Sequence, residues 1–186
     1  MKEYQEAMQS FSFVLERDND DAAAWRGKGM ALMALKEYPA ALDCFQEALT
    51  LDSSDVEAIL GTADALYAQD NYNNSFRSYA RALEIDPELL PAWLGRGSCA
   101  LMMNDPSAAL SSFESSLALD QKNLAALIGR ADSLLKMNRT AEAKASYDLA
   151  LLQDPLSPAA WTGKGEALMT EKDAANASAA YEKALQ

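Results

Sequence analysis

Residues Ala24 to Leu32 read AWRGKGMAL, two glycines flanking a lysine ahead of an apolar run. Such a grouping can cradle a phosphate, with backbone amides around the anion and a lysine beside it. The spacing argues otherwise. A phosphate loop needs four residues between its first glycine and a Gly-Lys-Ser/Thr, and none follows here. A dinucleotide fingerprint needs a third glycine where Ala31 or Leu32 stands. The pattern also recurs as AWLGRGSCA from Ala92 and AWTGKGEAL from Ala160, each 68 residues after the one before. A solitary cofactor loop has no reason to repeat.

Other routes to chemistry are thin. The chain of 186 residues contains no histidine, which removes the commonest general base and the commonest zinc ligand. Cys44 and Cys99 stand too far apart for a metal motif and read as buried thiols in a reducing compartment. Carboxylate pairs such as Asp20-Asp21 sit where charge caps helices. No base, nucleophile and oxyanion constellation is readable, so neither catalysis, a cofactor nor a metal is expected. A formal charge of −12 disfavours nucleic acid and anionic membranes, which call for a basic surface. No apolar run reaches the length of a bilayer span and the first twenty residues lack the shape of a signal peptide, so a cytoplasmic protein is expected.

The elements that carry the recurring motif follow from its period. Halving 68 reveals weaker copies, AILGTADAL from Ala58 and ALIGRADSL from Ala126, and aligning all five superposes Gly27, Gly61, Gly95, Gly129 and Gly163. Numbering each 34-residue repeat from Ala22, Val56, Leu90, Leu124 and Pro158 makes this glycine the sixth place. The fourth place is then Trp25, Ile59, Trp93, Leu127 and Trp161, and the eighth is Gly29, Ala63, Gly97, Ala131 and Gly165. The twentieth and twenty-seventh places are small, while the twenty-fourth is Phe45, Tyr79, Phe113, Tyr147 and Tyr181. Abundant Ala, Leu, Glu and Met with sparse Gly and Pro favour helix.

Over essentially its whole length this pattern resembles the tetratricopeptide-repeat (TPR) family, whose period is 34 residues. The resemblance implies an all-α fold, a right-handed α-solenoid of helix-turn-helix units, in a single domain spanning 1–186. Residues 1–21 would supply the second helix of a partial repeat, and five hairpins would follow at 22–55, 56–89, 90–123, 124–157 and 158–186. Helices are expected near 2–17, 22–35, 38–50, 55–68, 72–84, 90–103, 106–118, 124–137, 140–153, 158–171 and 174–185. The family usually places glycine in the turn within each hairpin; here Lys36, Asp70, Asn104, Asn138 and Lys172 mark it, and the two lysines fit a left-handed conformation least well.

The fourth, eighth and eleventh places share one stripe of the first helix, so the tryptophans read as core. Trp goes with Gly at the eighth place, and Ile or Leu with Ala, as constant core volume requires. A mid-helix glycine costs about 0.5–1 kcal/mol relative to alanine, so five at the sixth place need a return. Two are open: close approach of successive first helices, which is favoured, or a smooth floor for a ligand backbone. Basic residues at the seventh place, Lys28, Arg96, Arg130 and Lys164, are expected to meet the repeat-end acids Asp18, Asp52, Asp86, Asp120 and Asp154.

In the family, the ligand-facing surface comes from the first helices. That resemblance assigns Arg26, Met30 and Met33 in the first repeat, and Glu57, Leu60, Asp64 and Tyr67 in the second. Leu94, Ser98 and Leu101 follow in the third, Ile128, Asp132 and Leu135 in the fourth, and Thr162, Glu166 and Met169 in the fifth. The lysine and asparagine clamp by which some members hold a terminal carboxylate is missing. Acidic ninth places beside Met, Leu and Ile suggest a protein or peptide partner, extended or helical, neutral to basic, with apolar anchors. Two other readings stay open: self-association through end faces, giving a homo-oligomer, and membership of a longer protein.

Overall fold

The computed structural model describes residues 2–185. Eleven helices run through them: α1 Lys2–Leu15, α2 Ala22–Ala34, α3 Tyr38–Leu51, α4 Val56–Ala68, α5 Tyr72–Ile85, α6 Leu90–Met102, α7 Pro106–Leu119, α8 Leu124–Lys136, α9 Thr140–Gln153, α10 Pro158–Thr170 and α11 Ala174–Ala184. Every end lies within two residues of its expected place. The chain divides into two compact halves, Met1–Gly95 and Arg96–Gln186. In the first, α2 packs on α3, α3 on α4 and α4 on α5, with α1 against α2 and α2 touching α4. In the second, neighbours from α7 to α11 pack in the same succession, and α8 touches α10. No helix among the described residues is long and apolar enough to cross a membrane.

Three local devices repeat along the chain. Within each hairpin the turn residue is left-handed, at φ 64° for Lys36, 58° for Asp70, 57° for Asn104, 58° for Asn138 and 62° for Lys172. The amide of the next residue then reaches back five residues, as in Glu37 N to Leu32 O at 2.9 Å and Asp173 N to Leu168 O at 3.0 Å. This closure satisfies helix-end carbonyls, offsetting a left-handed cost of about 1–2 kcal/mol for a side chain with a Cβ. Lysine is therefore tolerated where glycine was the easier choice.

Between hairpins, the repeat-end aspartates form the second device. Asp18, Asp52, Asp86, Asp120 and Asp154 each accept the amide two residues on, at 3.1, 2.9, 2.9, 3.0 and 3.0 Å. These are Asx turns. At Asp52 the Ser54 hydroxyl donates as well, and the two bonds hold the carboxyl below its usual range. For Lys28, Arg130 and Lys164 the expected pairing is thus corrected. Lys164 bonds Asp148 at 2.6 Å instead, Arg130 donates to Ser146 Oγ at 3.0 Å, and Lys28 sits 5.5 Å from the centre of the Trp25 ring. A carboxylate already engaged by its own backbone is a poor target for a long, flexible cation.

The third device concerns the indoles. Trp25, Trp93 and Trp161 donate Nε1–H to the carbonyls of Asn19, Pro87 and Pro155, at 2.8, 2.9 and 2.8 Å. They are half-buried and anchor the preceding turn, whereas Ile59 and Leu127 at the same place are fully inside. The tryptophans are therefore the edge of the core rather than its interior. The centre belongs to the rings of the twenty-fourth place and to small residues: Phe45 and Tyr147 are wholly buried, as are Ala41, Ala48, Ala143 and Ala150 one helical turn before and after them.

Candidate functional site

The glycines organise the face of the first helices. A Cβ on Gly61 would stand 2.4 Å from Phe45 Cζ, one on Gly129 2.4 Å from Phe113 Cζ and one on Gly163 2.3 Å from Tyr147 Cζ. Gly27 meets Phe11 and Gly95 meets Tyr79 in the same way. Each sixth-place glycine thus receives the ring of the preceding second helix. First helices of successive repeats do touch, α2 with α4 and α8 with α10, but what stands nearest each sixth-place glycine is a ring. The eighth-place glycines receive the ring of their own hairpin, with Gly29 against Phe45, Gly97 against Phe113 and Gly165 against Tyr181. Phe45 and Phe113 are gripped between two glycines each.

Repeats 2 and 4 use the alternative arrangement. There the eighth place is alanine, the ring is tyrosine, and the ninth place is an aspartate that accepts the phenol: Tyr79 to Asp64, and Tyr147 to Asp132 at 2.5 Å. Repeats 1 and 3 pair phenylalanine with Met30 and Ser98 at that place, so no carboxylate faces an unreactive ring edge. Repeat 5 departs, with Gly165, Glu166 and Tyr181 together. The coincidence of Asp with Tyr fifteen residues on is visible in the sequence, and it marks the two carboxylates as built in rather than merely solvated.

Both are strained electrostatically. Asp64 exposes much of its surface, yet its carboxyl lies against the apolar wall, and loss of water raises its pKa against the lowering effect of the Tyr79 bond. Asp132 is raised by desolvation first, lowered by Tyr147, raised again by Glu166 and lowered by Lys136. The Tyr147 phenol is held firmly neutral by burial and by the Asp132 charge. A carboxylate whose folded pKa exceeds its unfolded value of about 3.9 costs stability when ionised, and that cost disappears as pH falls through the interval between the two values. Asp132→Asn keeps an acceptor for Tyr147 and removes the charge. It is expected to raise Tm at pH 7, by a margin that shrinks to nothing at about pH 3; a variant that is less stable than wild type at pH 7 refutes this.

None of the sixteen residues assigned to this face is buried. In the N-terminal half, Met30, Met33, Glu57, Leu60 and Asp64 line a cleft of about 290 Å³, together with Phe45 and Gly61. In the C-terminal half, Leu101, Ile128, Asp132, Leu135, Thr162 and Glu166 line one of about 790 Å³ with Met102, Lys136 and Gly163 among its walls. Arg26, Tyr67, Leu94, Ser98 and Met169 lie outside both linings. Arg26 instead reaches Asp55 at 2.7 Å and Glu57 at 3.6 Å, and Tyr67 stacks edge-on against Tyr72. Sequence reasoning missed Phe45 as a cleft wall, and it held the two roles of the sixth-place glycine apart. Gly61 and Gly163 both receive a ring and line a cleft.

Hairpins of two helices, tied to the next by a ring seated on a glycine, define a helical-repeat protein. The chain belongs to the tetratricopeptide-repeat family: four models of that repeat match residues 22–55, 60–126, 100–167 and 158–186. No curated protein sequence matches it significantly. Among solved structures, the fold is similar to that of YrrB, described as a TPR protein with an unusual peptide-binding site, with TM-score 0.81 and 21% identity over 96% of this chain and 92% of that one. It is also similar to MamA (41-end) from Desulfovibrio magneticus RS-1, with TM-score 0.83 and 16% identity over 88% and 93% of the two chains. PilF of Pseudomonas aeruginosa gives TM-score 0.81 and 22% identity over 96% and 82%.

Proposed function

We propose that the chain is a protein-interaction scaffold whose first helices receive an extended or helical peptide segment, neutral to basic in charge and carrying apolar anchors. The observation that carries this reading is the pairing, within each half, of an open apolar cleft with a tyrosine-held carboxylate. Met30 is 57% exposed beside Leu60 and Met33, an arrangement a merely solvated face does not need. Methionine adapts its shape to varied partners, and a carboxylate short of water gains more from a cation or N–H donor than a hydrated one. A peptide-binding site in YrrB supports the same use of the repeat.

The test is selection of binders from a random peptide library on the purified chain. Selected peptides are expected to be enriched in Lys, Arg, Leu and Phe, to bind more weakly as salt rises, and to lose at least about tenfold in affinity with Met30→Glu or Asp132→Lys. Binders that are predominantly acidic, or that ignore both substitutions, defeat the proposal.

A further inference from the structure

The repeats provide their own control for surface positions. At the twenty-sixth, twenty-ninth and thirty-third places, repeat 1 carries Glu47, Thr50 and Ser54, repeat 2 Arg81, Glu84 and Glu88, and repeat 3 Ser115, Ala118 and Lys122. Repeat 4 carries Leu149, Leu152 and Leu156, which are 43%, 74% and 76% exposed. Leu149 and Leu152 share the outer stripe of α9. Leu156 stands in the following turn, where its amide donates to Asp154 Oδ1 at 3.0 Å and fixes the backbone that carries it. Three leucines replace residues that are polar in eight of nine equivalent positions, and Leu152 and Leu156 leave about three quarters of their surface exposed.

Beside them lies a hollow of about 430 Å³ over α8, between α7 and α9, floored by Leu117, Ala118, Leu127 and Leu149 and edged by Glu114 and Arg130. Leu149 belongs to both features, so the projecting leucines and the hollow are continuous. A projection and a hollow side by side on one face are what an isologous contact requires, since each copy's projection enters the other's hollow and the assembly closes at two. The hollow's edge carries one charge of each sign, so pairing two copies does not set like charges together there. The net charge of −12 opposes association only at longer range, where salt screens it.

We propose that this face is a self-association surface: a two-fold dimer in which Leu152 and Leu156 of each copy fill the hollow between α7 and α9 of the other. It uses none of the sixteen residues of the first-helix face, so the peptide reading and this one stand or fall separately.

Sedimentation velocity on the full chain, over a concentration series at low and high salt, tests it. Wild type is expected to pass from monomer to dimer with concentration, and at lower concentration in high salt, the opposite salt response to that expected for peptide binding. The double variant Leu152→Glu/Leu156→Glu, and separately Ala118→Arg in the hollow, should each weaken association at least about tenfold with unchanged helical circular dichroism, because all three residues are exposed. Mixing the two variants should restore part of the dimer, because one of the two projection–hollow contacts is then intact. A wild type that stays monomeric in high salt, a dimer indifferent to both variants, or a mixture no more dimeric than its components overturns the proposal.

Discussion

Gly61→Ala should destabilise the protein by about 1–3 kcal/mol, although the same exchange in an exposed helix interior is favourable by about 0.5–1 kcal/mol. The reversal of sign comes from Phe45. The added methyl would lie 2.4 Å from the ring's Cζ, and the ring is wholly buried with Gly29 on its other side. With both faces held, the ring has nowhere to go, and the α3–α4 contact must open. Thermal unfolding of four variants, Phe45→Leu among them as a reference, decides the matter. Gly61→Ala alone should lower Tm. In a Phe45→Leu background, itself costly, the same change should be neutral or favourable because the obstructing ring is gone. Gly27→Ala should be milder than Gly61→Ala in the wild-type background, since Phe11 lies half-buried on α1 and can swing aside. A Gly61→Ala protein more stable than wild type would remove the ring-on-glycine account.

Asp55→Ala should cost about 2–3 kcal/mol, more than a helix cap alone, which is worth about 1 kcal/mol. Its carboxylate serves two partners: Oδ1 accepts the Ala58 amide at 3.0 Å at the start of α4, and Oδ2 accepts Arg26 Nη1 at 2.7 Å from α2. The side chain is 4% exposed, whereas that of Arg26 is 32% exposed and retains Glu57 at 3.6 Å. The abandoned guanidinium is therefore partly solvated and partly re-paired, which keeps the loss below that of a fully buried ion pair. Asp55→Asn separates the contributions. It preserves the cap and gives up the charge, so denaturant unfolding should place it between wild type and alanine. Equal losses for Asn and Ala would mean that the charge alone matters.

The sequence revealed the helices and their register because the signal repeats five times, and each copy corrects the noise of the others. It revealed less about which atoms meet. The wheel placed Gly61 at the edge of the inward stripe, but periodicity within one helix does not say which neighbour's side chain arrives there, and a ring from the preceding hairpin fills the space. Repeat-end aspartates read as ion-pair partners because charge is conspicuous in a sequence, while a bond from a carboxylate to the amide two residues on leaves only a faint compositional trace. The recurrence of aspartate at one place just before each new hairpin is the sequence trace of these turns. For the candidate site, the assigned first-helix residues are unburied, but the sequence does not point to the tyrosines behind Asp64 and Asp132, because they sit on another helix. The leucines of repeat 4 escaped for a different reason. They are peculiar to one repeat, and the 34-residue period displays only what the repeats share.

The ring-on-glycine contact has a consequence for how such a chain can change in length. Variation between phenylalanine with glycine and tyrosine with alanine and aspartate is settled inside each hairpin, while the joint to the next hairpin is always an aromatic ring on a glycine. Every joint accepts either kind of hairpin. Blocks of 34 residues can therefore be removed, added or reordered without redesigning the seam, and the number of hairpins becomes a quantity that selection can adjust independently of what each one displays.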